Sequence, residues 1–196
     1  MIQEAADADR PALARSLAAA FMDDPVTVWT TPHEHLRPRV LRRFFSEMLR
    51  AKLPHGFVYT DPDRRGSALW APPGAWRTTT MQDLRIAAAM SHPRLWLRAP
   101  LVARGLLGVE RLHPPEPPHF YLSVLGVTPE VQGQGLGSRL LQPVLQLCDA
   151  EAVPAYLESS KESNIAFYAR HGFRVTREIQ LPRGPTVWAM WRDPLN

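Results

Sequence analysis

Three glycines at alternate positions, Gly133, Gly135 and Gly137, separate an apolar run from a leucine-rich helical pattern. No other feature limits the fold as much. The run before them, Phe120–Val127, is rich in β-formers and is closed by Thr128-Pro129. Pro129 has no N–H for a ladder, so a buried strand ends ahead of it. After the glycines, Leu136, Leu140, Leu141, Val144, Leu145 and Cys148 recur at helical spacing. The order is strand, glycine loop, helix start. The first N–H groups of a helix lack internal partners, and the helix dipole makes that end positive. Glycines let backbone approach a ligand closely. Such a junction suits a phosphate or pyrophosphate.

Three phosphate-loop patterns compete. A P-loop ends in G-K-[ST], and here no Lys precedes Ser138. A dinucleotide fingerprint starting at Gly133 needs Gly or Ala where Ser138 stands. The pattern Q-x-x-G-x-G is met by Gln132, Gly135 and Gly137. It resembles the acyl-CoA pyrophosphate loop of the GNAT superfamily of N-acetyltransferases. The bland alternative is a glycine-rich turn that caps a core helix.

Composition narrows the partners. The 196 residues allow one domain, and 45% apolar content supports a core. The formal charge is +4, nearly all the base is Arg, and the basic excess lies before Pro118. Arginine dominance fits a GC-rich, bacterial genome. A mild positive field suits an anionic cofactor. No basic stripe is interleaved with aromatics, so nucleic acid is not expected. The single Cys148 forms no internal disulfide and no cysteine-cluster zinc site. The seven histidines show no metal spacing, so no metal is expected. No stretch reaches the ~20 apolar residues of a membrane span, and Met1–Ala5 is no signal peptide. A soluble cytoplasmic protein is the expectation, with a homodimer left open.

In chain order, Ile2–Ala5 reads as a strand and Ala8–Met22 as a helix stopped by Asp23-Asp24-Pro25. Glu34–Lys52 is a second helix; Phe57–Thr60 and Ser67–Trp70 form a strand pair. Met81–Met90 and Arg94–Arg111 are helical. Pro114 to Pro118 reads as a stiff connector into the central strand. Pro143 should kink the glycine-loop helix. Ala155–Glu158 is a short strand. Ser163 or Asn164 should cap a helix over Ile165–His171, with Gly172 at its left-handed C′ position. Phe173–Gln180 and Thr186–Trp191 close the chain as a hairpin.

Asn164-Ile165-Ala166-Phe167-Tyr168 followed by Gly172-Phe173 resembles the second GNAT signature. Together with the loop it identifies the chain as similar to that superfamily, and most similar to the puromycin N-acetyltransferase group. The likeness covers Pro118–Arg192 and is looser before it. It implies an α/β fold: a twisted mixed sheet, helices on both faces, and fourth and fifth strands that splay to admit acetyl-CoA. Residues 118–192 would form the acetyl-CoA core and 1–117 mainly the acceptor side of one domain. The resemblance assigns the pantetheine arm to backbone at Leu125, Gly126 and Val127. It assigns the pyrophosphate to N–H groups of Gln132, Gly133, Gln134, Gly135, Leu136, Gly137 and Ser138. Asn164 and Phe167 would line the other wall.

An alkyl amine is protonated near neutrality and must lose a proton before it attacks. The leaving thiolate gains one. Glu158, at the end of its strand, is the candidate base, acting directly or through a water. Tyr168 is the candidate acid. Phe21, Asp24, Trp29, Trp70 and Glu158 are candidates for the acceptor side. Their ordinary roles are packing for the aromatics, a helix stop for Asp24, and a solvated or Arg-paired carboxylate for Glu158. The sequence thus suggests an acetyltransferase acting on a small-molecule amine. A non-catalytic acyl-CoA-responsive module and a protein lysine or N-terminal acetyltransferase remain alternatives.

Overall fold

The computed structural model describes residues 1–195. The elements are β1 (Gln3–Glu4), α1 (Arg10–Ala20), α2 (Pro25–Thr30), α3 (Arg37–Lys52), β2 (Val58–Thr60), β3 (Gly66–Ala71), α4 (Thr80–Met90) and α5 (Ala99–Arg111). They continue with β4 (Phe120–Val127), α6 (Leu136–Ala150), β5 (Ala155–Ser159), α7 (Ile165–Ala169), β6 (Arg174–Gln180) and β7 (Thr186–Arg192). All seven strands join one sheet in the order β1-β2-β3-β4-β5-β7-β6. Every neighbouring pair is antiparallel except β4 and β5. A parallel pair needs a long crossover, and α6 supplies it.

The sheet divides at β4. Its β3 edge is bridged from Tyr121 to Val127, but its β5 edge is bridged only at Phe120–Ala155, Tyr121–Tyr156 and Leu122–Leu157. The register slips where Leu69 pairs with Val124 and Trp70 with Leu122, so Ser123 is an extra residue. Its hydroxyl donates to the Leu69 carbonyl at 2.9 Å. A bulge bends its strand and reverses the alternation of side chains. Phe120 and Leu122 therefore face α6, Val124 faces α1 and α3, and Leu125 and Val127 return to the α6 side. The bend carries the second half of β4 away from β5 and opens a gap.

Helices cover both faces. Leu136, Leu140, Leu141, Val144, Leu145 and Cys148 of α6 pack on Ala68, Trp70, Leu122 and Leu157. Leu13 and Leu17 of α1 meet Phe45 and Leu49 of α3 over Leu69 and Val124. Gly126 sets that approach: a Cβ there would lie 2.7 Å from the Leu17 side chain and 2.9 Å from Phe21. A third cluster holds Trp29 and Tyr156 with Ile179, Leu181 and Val187, and α5 packs on it.

Several expected boundaries shift at prolines. Glu34–Leu36 and Pro93–Arg98 are 3-10 turns, and α3 and α5 begin only after them, each with Pro in its first turn. Pro lacks the N–H that is unpaired there anyway. The stop at Asp23-Asp24-Pro25 is also a start: the Asp24 side chain accepts from the Thr27 N–H at 3.0 Å and caps α2. The α6 helix continues through Pro143. Neither Ser163 nor Asn164 caps α7 with its side chain; both lie in a 3-10 turn, Glu162–Asn164, that leads straight into it. At the other end Gly172 has φ 85°, its N–H donates to Ala169 O, and the Phe173 N–H reaches back to Tyr168 O. That is a Schellman ending.

Candidate active site

The loop between β4 and α6 is an anion cradle made of backbone. Gly133 and Gly135 have φ 74° and 75°, a region that L-residues avoid. Alternation of this left-handed backbone with ordinary backbone turns successive N–H groups to one side. The N–H groups of Gly133 through Ser138 meet no acceptor among the described residues. Gln132 plays a different part: its side-chain amide donates to Val127 O at 2.9 Å and ties the loop to its strand. The Gln134 side chain bonds Glu130 O.

A cavity of about 390 Å³ runs from this loop into the gap beside β4. Leu125, Gly126 and Val127 form one wall; Asn164, Phe167 and Tyr168 form the facing wall. Gly137 lets the first turn of α6 approach α7, since a Cβ there would lie 3.3 Å from the Phe167 ring. Lys161 and Arg170 bring positive charge to the rim, and Phe21 and Asp24 close the far end. Asp24 accepts a hydrogen bond from the Ser160 hydroxyl, so it ties the start of α2 to the end of β5. Tyr168 is almost wholly buried, with Phe167 and Phe173 edge-on to it. Burial pushes its phenol above the usual range, so it stays protonated at neutral pH.

Glu158 is the first β5 residue beyond the last bridge to β4, and so it stands at the fork. Its side chain is 10% exposed, and His113 Nδ1 lies 3.6 Å from its Oε1. No arginine pairs with it among the described residues. His113 Nε2 lies 3.0 Å from His119 Nε2, and His119 Nδ1 lies 2.7 Å from Pro117 O. Trp76 stacks on the His113 ring at 3.8 Å, and Tyr121 and Tyr156 meet it edge-on. Burial, then the Glu158 charge, raises the phenols of Tyr121 and Tyr156.

The sequence profile described as the Acetyltransferase (GNAT) family matches residues 62–173. The chain belongs to the GNAT family. It is 30% identical over 186 residues to an uncharacterized N-acetyltransferase of Schizosaccharomyces pombe, covering 87% of this chain and 72% of the relative. It is 28% identical over 92 residues to the N-alpha-acetyltransferase RimI of Mycobacterium tuberculosis, covering 45% and 58% of the two chains. Among solved structures, one described as histone acetyltransferase HPA2 and related acetyltransferase from Corynebacterium glutamicum superposes with a TM-score of 0.67 at 23% identity, covering 100% and 97%. The polyamine N-acetyltransferase of Drosophila melanogaster does so with a TM-score of 0.63 at 16% identity, covering 98% of each chain.

GNAT enzymes take their acetyl group from acetyl-CoA. The site has the features this co-substrate needs: free N–H groups for a pyrophosphate, cationic side chains at the rim, and an unpaired strand edge for the pantetheine amides. Within this GNAT site the expected residues fall into two groups. Phe21, Asp24, Leu125, Gly126, Val127, Gln132, Gly133, Gly135, Leu136, Gly137, Ser138, Asn164, Phe167 and Tyr168 lie on the one cavity. Four others do not line it. Glu158 stands at the fork, outside the residues that line this cavity. Gln134 turns its side chain back to Glu130 O, while its backbone N–H, the group expected at the pyrophosphate, stays unbonded in the loop. Trp70 is fully buried in the α6-side core. Trp29 is 6% exposed and is walled in against Gly105 and Gly184. An aromatic side chain buries large apolar area, and these two complete the core rather than the acceptor wall.

His113 and His119 escaped the sequence reading. They stand at the two ends of the Pro114–Pro118 segment. An extended polyproline segment gains ~3.1 Å per residue and would hold them too far apart to touch. Their rings meet instead, so the connector turns back on itself. A histidine at each end of a proline run beside the central strand was the available signal.

Proposed function

We propose that this GNAT enzyme transfers an acetyl group from acetyl-CoA to the primary amine of a small molecule by direct attack, and that it stands nearest the puromycin N-acetyltransferase-like group. Glu158 is the base that takes the ammonium proton, and Tyr168 is the acid that protonates the leaving thiolate. The observation that carries this reading is the fork itself. β4 parts from β5 after Leu122, Glu158 stands at the parting, and Tyr168 lines the facing wall. A backbone N–H on the unbridged edge of β4 suits an oxyanion at the thioester carbonyl. The small-molecule assignment is supported by the likeness to the polyamine and agmatine N-acetyltransferase structures and by a buried, carboxylate-bearing fork. Release of free CoA thiol from acetyl-CoA tests the reading across arylalkylamines, polyamines, amino acids, aminonucleosides and peptides. Turnover on a small primary amine is expected. Turnover confined to peptides would replace it with the protein-directed reading. Tight acetyl-CoA binding with no turnover on any amine would replace it with a non-catalytic module.

A further inference from the structure

We infer that Glu158 and His113 act as one proton-holding pair, with His119 as the positioning residue that fixes the His113 tautomer. This rests on Glu158 being the base, and it adds where the proton goes.

The argument is one of hydrogen-bond valence. A carbonyl oxygen only accepts, so His119 Nδ1, 2.7 Å from Pro117 O, carries a hydrogen. Burial holds the His119 pKa below its ordinary value, so the ring is neutral and its Nε2 is bare. At 3.0 Å from that bare nitrogen, His113 Nε2 must be the donor. The second nitrogen of His113, Nδ1, then faces Glu158 Oε1 at 3.6 Å. A lone pair against a carboxylate repels, and both side chains are nearly buried, so solvent screens the repulsion weakly. A proton accepted from the ammonium removes the repulsion, whether it sits on the carboxyl oxygen or on Nδ1. The His113 ring is not free to swing away: Trp76 stacks on one face, and Tyr121 and Tyr156 stand edge-on. Lys52 Nζ donates to Trp76 O at 3.3 Å and steadies that stacking loop.

Other charges around the pair come from every neighbouring element. Tyr121 and Tyr156 face it with phenols kept neutral by burial. Glu116 of the connector acts on His119, and Glu110 of α5 on Tyr121. Arg177 of β6 acts on Tyr156 from the outer side. Glu116, Glu110 and Arg177 form no ion pair with Glu158 or His113 among the described residues, and the Tyr121 and Tyr156 phenols turn toward Glu158 as hydrogen-bond partners.

The step balances. An N–H bond of the acceptor ammonium breaks, and its proton passes to the Glu158 carboxylate and on to His113 Nδ1. The amine keeps the electron pair with which it attacks. The pair goes from net charge −1 to neutral, ending as carboxylate and imidazolium, and returns the proton to solvent once product has left.

Residue-resolved ¹⁵N NMR of the imidazoles, with ¹³C of the Glu158 carboxyl, tests this in wild-type protein. His119 should show a protonated Nδ1 and a bare Nε2. His113 Nδ1 and the Glu158 carboxyl carbon should titrate in a single shared step, and Glu158→Gln should abolish or displace that step. Independent titration of the two groups, or a bare Nε2 on His113, overturns the inference. Kinetics separate it from the reading beneath. His113→Gln should lower kcat by about 10-fold or more and move the acidic limb of the pH profile, with the KM for acetyl-CoA unchanged. Wild-type turnover in Glu158→Gln would overturn the base assignment itself. An inactive Glu158→Gln beside a fully active His113→Gln with an unmoved acidic limb would overturn only the pairing.

Discussion

The two ends of the gap are made of different material. The proposed cofactor end is backbone: one continuous segment, Gly133–Ser138, whose N–H groups meet no acceptor among the described residues and which holds two left-handed glycines. The proposed acceptor end is side chain. It brings Trp76, His113 and Glu158 together from a loop, the proline-rich connector and β5, and Asp24 is tied from the α1–α2 junction to Ser160 just past β5. A backbone site needs only a local conformation, so one substitution of the wrong shape breaks it. A side-chain site depends on many long-range contacts, and single changes there alter chemistry or stability separately.

The sharpest contrast comes from Tyr168→Phe, which keeps the ring and removes the hydroxyl. Under single-turnover conditions the acetyl-transfer rate should fall by roughly 10²–10⁴, the scale of general acid catalysis, with acetyl-CoA affinity nearly unchanged. In the wild type the alkaline limb should lie above the ordinary tyrosine range, because burial raises this phenol. Near-wild-type rates would make Tyr168 a packing residue.

Gly135→Val probes the other end. A β-branched residue at φ 75° is strained, so the cradle should lose its shape. Acetyl-CoA affinity should drop about 100-fold or more by calorimetry, a loss of ~2.7 kcal/mol. The circular dichroism of the folded protein should persist. Unchanged affinity in a folded variant would break the comparison.

Lys52 tests how the acceptor wall is held. Burial pushes its pKa down to about 8 from 10.5. Its folded value lies below its unfolded one, so between pH 8 and 10.5 the unfolded chain binds the proton more tightly. Stability should therefore rise across that window and carry the full penalty of a buried charge at neutral pH. Relative to Lys52→Met, the gain should be about 2–3 kcal/mol in denaturant titrations. A flat difference would mean that the amine is solvated.

The smallest effect is expected at Asp24. Asp24→Ala should cost about 1 kcal/mol through loss of the α2 cap, and Asp24→Asn should recover most of it. An unchanged acceptor KM in Asp24→Asn would mark Asp24 as a clamp. A raised KM confined to cationic amines would mark it as an acceptor contact.

The same contrast explains what the sequence made legible. The strand, glycine loop and helix lie within about thirty consecutive residues, and their spacing alone states the geometry. The Gly172 ending of α7 was legible for the same reason. The bulge at Ser123 was not, because an extra residue in β4 shows only against its β3 partner. Trp29 and Trp70 carry no local mark that separates a core ring from a pocket ring. His113 and His119 become a pair only when the connector doubles back, and that depends on what β5 and Trp76 offer them.

The central claim is that the backbone of Gly133–Ser138 and the free edge of β4 hold acetyl-CoA. Residue-resolved amide hydrogen exchange, with and without acetyl-CoA, tests it most directly. Without ligand the loop amides have no acceptor and should exchange fast; saturating acetyl-CoA should slow Gly133 through Ser138 together, along with backbone amides on the unbridged edge of β4 at Leu125–Val127. Calorimetrically verified binding that leaves those amides unprotected, or protects a different surface, would contradict the account.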